Sequence, residues 1–226
     1  MSMPVEASEF LDVASPAVAA FVERAVPSGT DQRTQAVALY YAVRDKIRYD
    51  VYGVDLSRAG MRASYILQSR VGFCIHKAIV YVTAARYLGI PCRLGFSDVR
   101  NHLSTGRLRD LVGGDVFCYH ARAEVCLDGR WVKLTPVFNA SLCRLFGVPA
   151  LDFDGYHDSI SQPFDASGEQ RLQTLRDHGT FEDFPYAECV GVLQARHPKL
   201  FASFQRTGAG DLSREHRGLG RTSGAP

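Results

Sequence analysis

Three observations predict an α+β domain for this 226-residue chain. Ala36, Tyr40, Val43 and Ile47 recur at i, i+4, i+7 and i+11, the stripe of an amphipathic helix over roughly 32–48. Ala78, Val82, Ala85 and, one turn on, Leu88 repeat that spacing after Cys74. Downstream, Phe117 to Leu127, Asp128-Gly129 and Arg130 to Leu134 have the form of a β-hairpin closed by a two-residue type I′ turn. Helices thus come first and an antiparallel sheet second.

Taken in order, residues 5–25 form a short helical lead-in closed by Pro27-Ser28-Gly29, and Thr30 or Asp31 offers an N-cap to the helix that follows. Arg48 to Gly60 reads as a loop, and Ala63 to Ser69 as a short helix or turn leading to Gly72. The helix begun at Cys74 stops at Gly89, with Pro91 just beyond. Cys92 to Val99 is apolar enough for a strand. Asn101 to Gly114 is polar and glycine-punctuated, a mobile loop or short helix at the edge of a cleft. In the hairpin, a two-residue turn sets Leu127 opposite Arg130, Val125 opposite Val132, Glu124 opposite Lys133 and Arg122 opposite Thr135. Alternation then gathers Ala121, Ala123, Val125 and Leu127 on one apolar face and His120, Arg122 and Glu124 on the other. Thr135 becomes a diagonal neighbour of His120, and Glu124 with Lys133 a surface cross-strand pair of little energetic weight. Residues 137–149 continue as strand and short helix. Glu169 to His178 reads as a short helix ending at Gly179, and Glu182 to Ala195 as a last helix. The expected layout is a single domain over 1–200, with 150–200 wrapping back over the cleft and 205–226 a disordered tail.

The chain is 46% apolar and 22% charged, an ordinary composition able to bury a core. Its 26 basic against 24 acidic residues give a net charge of +2, which argues against nucleic acid or an anionic membrane as the main partner. The N-terminal stretch lacks the basic and apolar regions of a signal peptide, and no run approaches transmembrane length, so a cytoplasmic location is expected. The six cysteines are then expected as reduced thiols. No Cys-x-x-Cys or His-Glu-x-x-His spacing suggests a metal. Asp152, Asp154, His157 and Asp158 fit no EF-hand spacing and read as solvated loop residues, so neither a metal nor an organic cofactor is expected.

Chemistry concentrates at Arg70-Val71-Gly72-Phe73-Cys74-Ile75-His76-Lys77. A glycine two residues before a cysteine that heads an apolar-periodic segment suggests a loop feeding a helix N-terminus, where negative charge is favoured and a thiol ionises more readily. Such a cysteine is either a packed small hydrophobe or a nucleophile. His76 follows too closely to bridge back to the thiol and reads as a solvent or packing residue. Trp131 reads as core or cleft wall.

Gly72-Phe73-Cys74, the helix ending Arg86-Tyr87-Leu88-Gly89-Ile90-Pro91-Cys92-Arg93, then His120-Ala121-Arg122-Ala123-Glu124-Val125, then Asp128-Gly129-Arg130-Trp131-Val132, together resemble the transglutaminase-like superfamily, relatives of papain-like cysteine proteases. The resemblance covers about residues 33–139 and suggests a bacterial-type single-domain member. It implies a transglutaminase/papain-like α+β fold with Cys74 on a helix packed on a sheet that carries His120. It implies catalysis by Cys74 as nucleophile and His120 as general base, paired as thiolate and imidazolium. The family's strand after Trp usually ends in Asp-Pro. Here Thr135-Pro136 stands in its place, and a threonine hydroxyl can accept a hydrogen bond but supplies no charge. Asn139 could orient the histidine instead, and Gln68, six residues before Cys74, could donate to an oxyanion. The expected activity is acyl transfer through a thioester on Cys74, hydrolysing a peptide, amide or acyl-thioester substrate or passing the acyl group to an amine. The alternative is a catalytically inactive scaffold of the same fold that binds a peptide or protein partner.

Overall fold

The computed structural model describes residues 7–101, 106–147, 149–160 and 172–204. The expected tail over 205–226 lies outside them. The helical part starts with α1 (Pro16–Ala25), which has proline at its first position and Ser15 Oγ accepting the Ala17 N–H. In α2 (Gln32–Lys46) the cap is Asp31, whose carboxylate accepts the N–H groups of Arg33 and Thr34. Its stripe of Ala36, Tyr40 and Val43 is buried. Strand β1 (Arg48–Tyr49) is two residues long, and α3 (Ala63–Ser69) ends at Arg70 in the left-handed region, φ 54°. That reversal sends the chain into β2 (Val71–Gly72), which pairs parallel with β1, Tyr49 opposite Gly72.

The helix that follows, α4 (Cys74–Tyr87), is the axle of the fold. The periodicity predicts one buried stripe, yet every residue from Cys74 to Arg86 is buried. The polar members do not face water because each is met by a partner. His76 Nε2 sits 3.2 Å from Asp55 O, Thr83 Oγ1 donates to Ile79 O, and Arg86 donates to Cys92 O and Glu182. Lys77 Nζ donates to Arg44 O at 2.8 Å and Ile47 O at 2.9 Å, closing the C-terminal end of α2.

The sheet has the order β5-β4-β3-β6, all antiparallel, from β3 (Cys92–Asn101), β4 (Val116–Leu127), β5 (Arg130–Leu134) and β6 (Leu172–Phe181). The hairpin register is the predicted one, with Leu127 opposite Arg130, Val125 opposite Val132 and Glu124 opposite Lys133. Asp128 and Gly129 both have positive φ, 50° and 78°, as a type I′ turn requires. The face carrying Ala121, Ala123, Val125 and Leu127 is buried in the core. Glu124 is not a surface residue: it is 3% exposed, and its carboxylate is taken by Arg93 at 2.9 Å and Arg122 at 2.9 Å instead of Lys133. Arg122 extends the cluster to Ser97 and Asp177.

Between the sheet strands lies α5 (Gly106–Val112), the helical alternative for that polar stretch, and α6 (Ala140–Phe146) follows β5. The helix expected over 169–178 is corrected by β6. The open edge of β3 demands a partner for its backbone groups, and this pairing outweighs local propensity. Helices α7 (Tyr186–Arg196) and α8 (Pro198–Phe204) end the described chain. Residues 151–158 lie along α2: Leu151 O accepts from Tyr40 and Arg44, and Phe153 is buried. Among the described residues, no helix is long and apolar enough to cross a membrane.

Candidate active site

Gly72 is the residue that lets Cys74 reach its position. A Cβ built on Gly72 would stand 2.6 Å from His76 Cβ, so only glycine permits β2 to run this close over the first turn of α4. Phe73 is the extended N-cap residue, and Cys74 is the first residue of the helix. Burial pushes the Cys74 thiol up to about 11, offset only in part by backbone hydrogen bonding from Ala121, Ile75 and Cys74 itself, which favours the thiolate. Cys74 is 7% exposed.

His120 lies on β4 opposite Ser97 of β3 and is half-buried. Burial, and then the charge of Arg122, push its imidazole down to about 4. Both shifts run toward the uncharged forms, thiol and imidazole. Desolvation is the leading cause of both shifts, and it acts against the thiolate–imidazolium pair implied by the resemblance. Cys74 and His120 line one cavity of about 60 Å³, walled by Tyr49, Phe73, Val99 and Phe138 and roofed by Leu193, His197 and Leu200 from the C-terminal helices.

The remaining sequence-predicted residues stand elsewhere, and none of the three lines this cavity. Thr135 falls just past β5, where the chain meets residue 159: both its N–H, at 2.9 Å, and its hydroxyl, at 3.3 Å, donate to Ser159 O. Asn139 is a clamp within the fold. Its Oδ1 accepts the Tyr49 N–H at 2.7 Å, and its Nδ2 donates to Ile47 O at 2.8 Å and to Arg44 O, the same two carbonyls that Lys77 serves. It thereby fixes the backbone of Tyr49, a wall of the cavity. Gln68 is exposed on α3 and borders a different and larger cavity, about 570 Å³, between α1, α2 and α3. Trp131 lies beneath the Arg93 guanidinium, 4.0 Å from its centroid. Asp152 meets Arg44, Asp154 meets His157, and Asp158 accepts the Lys133 N–H. Among the described residues, no carboxylate is hydrogen-bonded to the His120 ring.

Sequence reasoning missed the residues packed around the approach to His120. Asp98, Tyr119 and His178 are joined by hydrogen bonds and ring stacking, and His197 accepts the N–H of Cys118, so the group meets β4 within two residues of His120. The visible signal is the polar Ser97-Asp98 pair inside an otherwise apolar strand.

A cysteine at the head of a buried helix, sharing a cavity with a histidine on an antiparallel strand, defines an α+β protein with the parts of a thiol-nucleophile site. A family model for the transglutaminase-like superfamily matches residues 19–136, which include both residues, and the chain belongs to that superfamily. No curated protein matches it. Among solved structures it is similar to a "putative cysteine protease" from Cytophaga hutchinsonii, with 15% identity and a TM-score of 0.43 over 78% of this chain and 53% of that one. It is also similar to a "putative protease" from Parabacteroides distasonis, with 12% identity and a TM-score of 0.36 over 52% of this chain and 22% of that one. The chain thus spans about half the length of the first of these structures.

Proposed function

We propose that the protein is a cysteine-dependent acyl-transfer enzyme acting through a thioester on Cys74, with hydrolysis of an amide or thioester favoured slightly over transfer to an amine. The observation that carries this reading is the shared cavity: the sulfur at a helix head and the His120 imidazole open onto the same small, mostly apolar space. Because burial keeps both groups neutral, His120 acts as a general base during attack rather than beforehand. The thiol proton passes to His120 as the sulfur bonds to the acyl carbon. The Cys74 N–H at the start of α4 is the candidate donor to the resulting oxyanion. His120 returns the proton to the departing amine or thiol, which leaves the thioester. Water or an amine then attacks the thioester with His120 again as base, and the thiol is restored. The apolar walls favour an uncharged acyl group. Cytoplasmic residence belongs to the same proposal.

A second reading, an inactive scaffold that binds a peptide or protein partner in this cleft, is favoured by one observation. Thr135 stands at the sequence position where the family usually carries Asp, and its hydroxyl donates a hydrogen bond to Ser159 O.

The deciding experiment treats the protein with p-nitrophenyl butyrate and with a butyryl thioester, then locates the acyl adduct by peptide mass spectrometry. The enzyme reading expects one adduct, on Cys74, absent from Cys74→Ala and formed about 10²-fold or more slowly by His120→Ala. An added primary amine that diverts the product would identify transfer. Acylation spread over the other thiols, or indifferent to His120, would overturn this reading in favour of the scaffold.

A further inference from the structure

The strand that delivers His120 is broken immediately before it. Val99 pairs with Phe117, whereas Ser97 pairs with His120, so Asp98 alone opposes both Cys118 and Tyr119. This is a β-bulge, a device that re-aims side chains and is common beside active sites. Were the Val99 register to continue, Tyr119 would face Ser97, and each later residue of β4 would exchange faces of the sheet. The bulge therefore decides that the histidine, and not the tyrosine, occupies this place.

The bulge is costly. Tyr119 has φ 54°, a left-handed conformation that a bulky side chain adopts only under constraint. Side chains supply the constraint. The Tyr119 N–H donates to Asp98 Oδ1 at 3.0 Å, and His178 Nε2 lies 2.8 Å from the same oxygen. The Tyr119 ring stacks on His178 at 4.3 Å, and its hydroxyl donates to Glu188 of α7. The other amide freed by the bulge, that of Cys118, donates to His197 Nε2 at 3.1 Å. His197 Nδ1 in turn donates to Val112 O at 2.8 Å, which fixes the tautomer that accepts.

We propose that Asp98 is a positioning residue for His120: by accepting the Tyr119 amide it holds the bulge that aims the imidazole into the Cys74 cavity. The inference rests on the acyl-transfer reading for its catalytic consequence, but its structural content stands apart from that reading.

The test compares Asp98→Ala, Asp98→Asn and Tyr119→Gly by crystal structure and by Cys74 acylation. Asp98→Ala is expected to displace His120 and to lower kcat about 10²-fold, the effect of misplacing a catalytic group by about 1 Å, with KM nearly unchanged. Asp98→Asn keeps an oxygen that can accept the amide and should recover most of that loss. Glycine adopts the left-handed conformation without strain. The Asp98→Ala loss should therefore shrink about tenfold when introduced into Tyr119→Gly, and this comparison also serves if Asp98→Ala alone folds poorly. An unmoved His120 and equal losses in both backgrounds would overturn the proposal. If the wild type forms no acyl adduct while His120 still moves in Asp98→Ala, the acyl-transfer reading fails and the positioning role of Asp98 survives.

Discussion

His76 should make this protein sensitive to mild acid, through a term that can be isolated. The residue is 2% exposed in the first turn of α4, where the helix terminus disfavours a cation. Its Nε2 reaches Asp55 O, and its buried Nδ1 has no partner among the described residues. Burial lowers its value from 6.5 to about 4. Because the folded value lies below the unfolded one, the stability contribution is complete above pH 6.5. It is lost as pH falls and levels off below about 4. Between about pH 8 and pH 5 the unfolded chain takes up most of one proton at this site and the folded chain little, a loss of about 2 kcal/mol. His76→Gln keeps a donor for Asp55 O but does not titrate. Urea unfolding of both proteins at these two pH values should show the acid loss reduced by about 2 kcal/mol in the variant. Equal pH dependence in wild type and His76→Gln would refute the assignment of a buried, neutral imidazole.

Lys77 offers the converse measurement on the alkaline side. Burial depresses its ammonium to about 7, so wild-type stability rises from pH 7 to pH 10 as the unfolded chain loses its preference for the proton. Lys77→Met should remove about 3 kcal/mol of that rise in urea titrations. Gly72→Ala must displace His76 and is expected to cost about 1–3 kcal/mol in thermal or urea unfolding and to slow Cys74 acylation. Asn139→Ala removes the partner of the part-buried Tyr49 amide and should cost about 1–3 kcal/mol, read by the same unfolding assay. Glu124→Ala leaves Arg93 and Arg122 without their shared carboxylate and should cost about 3–5 kcal/mol, whereas a surface Glu–Lys pair would cost less than about 1.

The features legible in the sequence are those that neighbouring residues determine. Asp128-Gly129 dictates the turn, the turn dictates the register, and alternation then fixes which face joins the apolar core. Gly72 before Cys74 likewise announces a close approach at a helix head. The illegible features depend on partners distant along the chain. Nothing near Lys77 or Arg86 discloses the Arg44 carbonyl and the Glu182 carboxylate that meet their charged ends, so α4 reads as amphipathic when it is enclosed. Strand β6 exists because β3 has an open edge. Thr135 and Asn139 are reasonable candidates by motif position, but their hydrogen bonds go to Ser159 and to the end of α2. The bulge at Tyr119 is set by Asp98 of β3, His178 of β6 and His197, the residue after α7.

The lining of the Cys74 cavity runs along the chain from Tyr49 to Leu200, with Phe73, His120 and His197 between. During synthesis, the segment bearing the thiol emerges long before its histidine, and the histidine long before the helices that roof them both. On the acyl-transfer proposal, a growing chain carries Cys74 as an ordinary cysteine, and the cavity it shares with His120 is complete only once the helices bearing Leu193 and Leu200 have docked. Acyl transfer at Cys74 would then be confined to the folded protein.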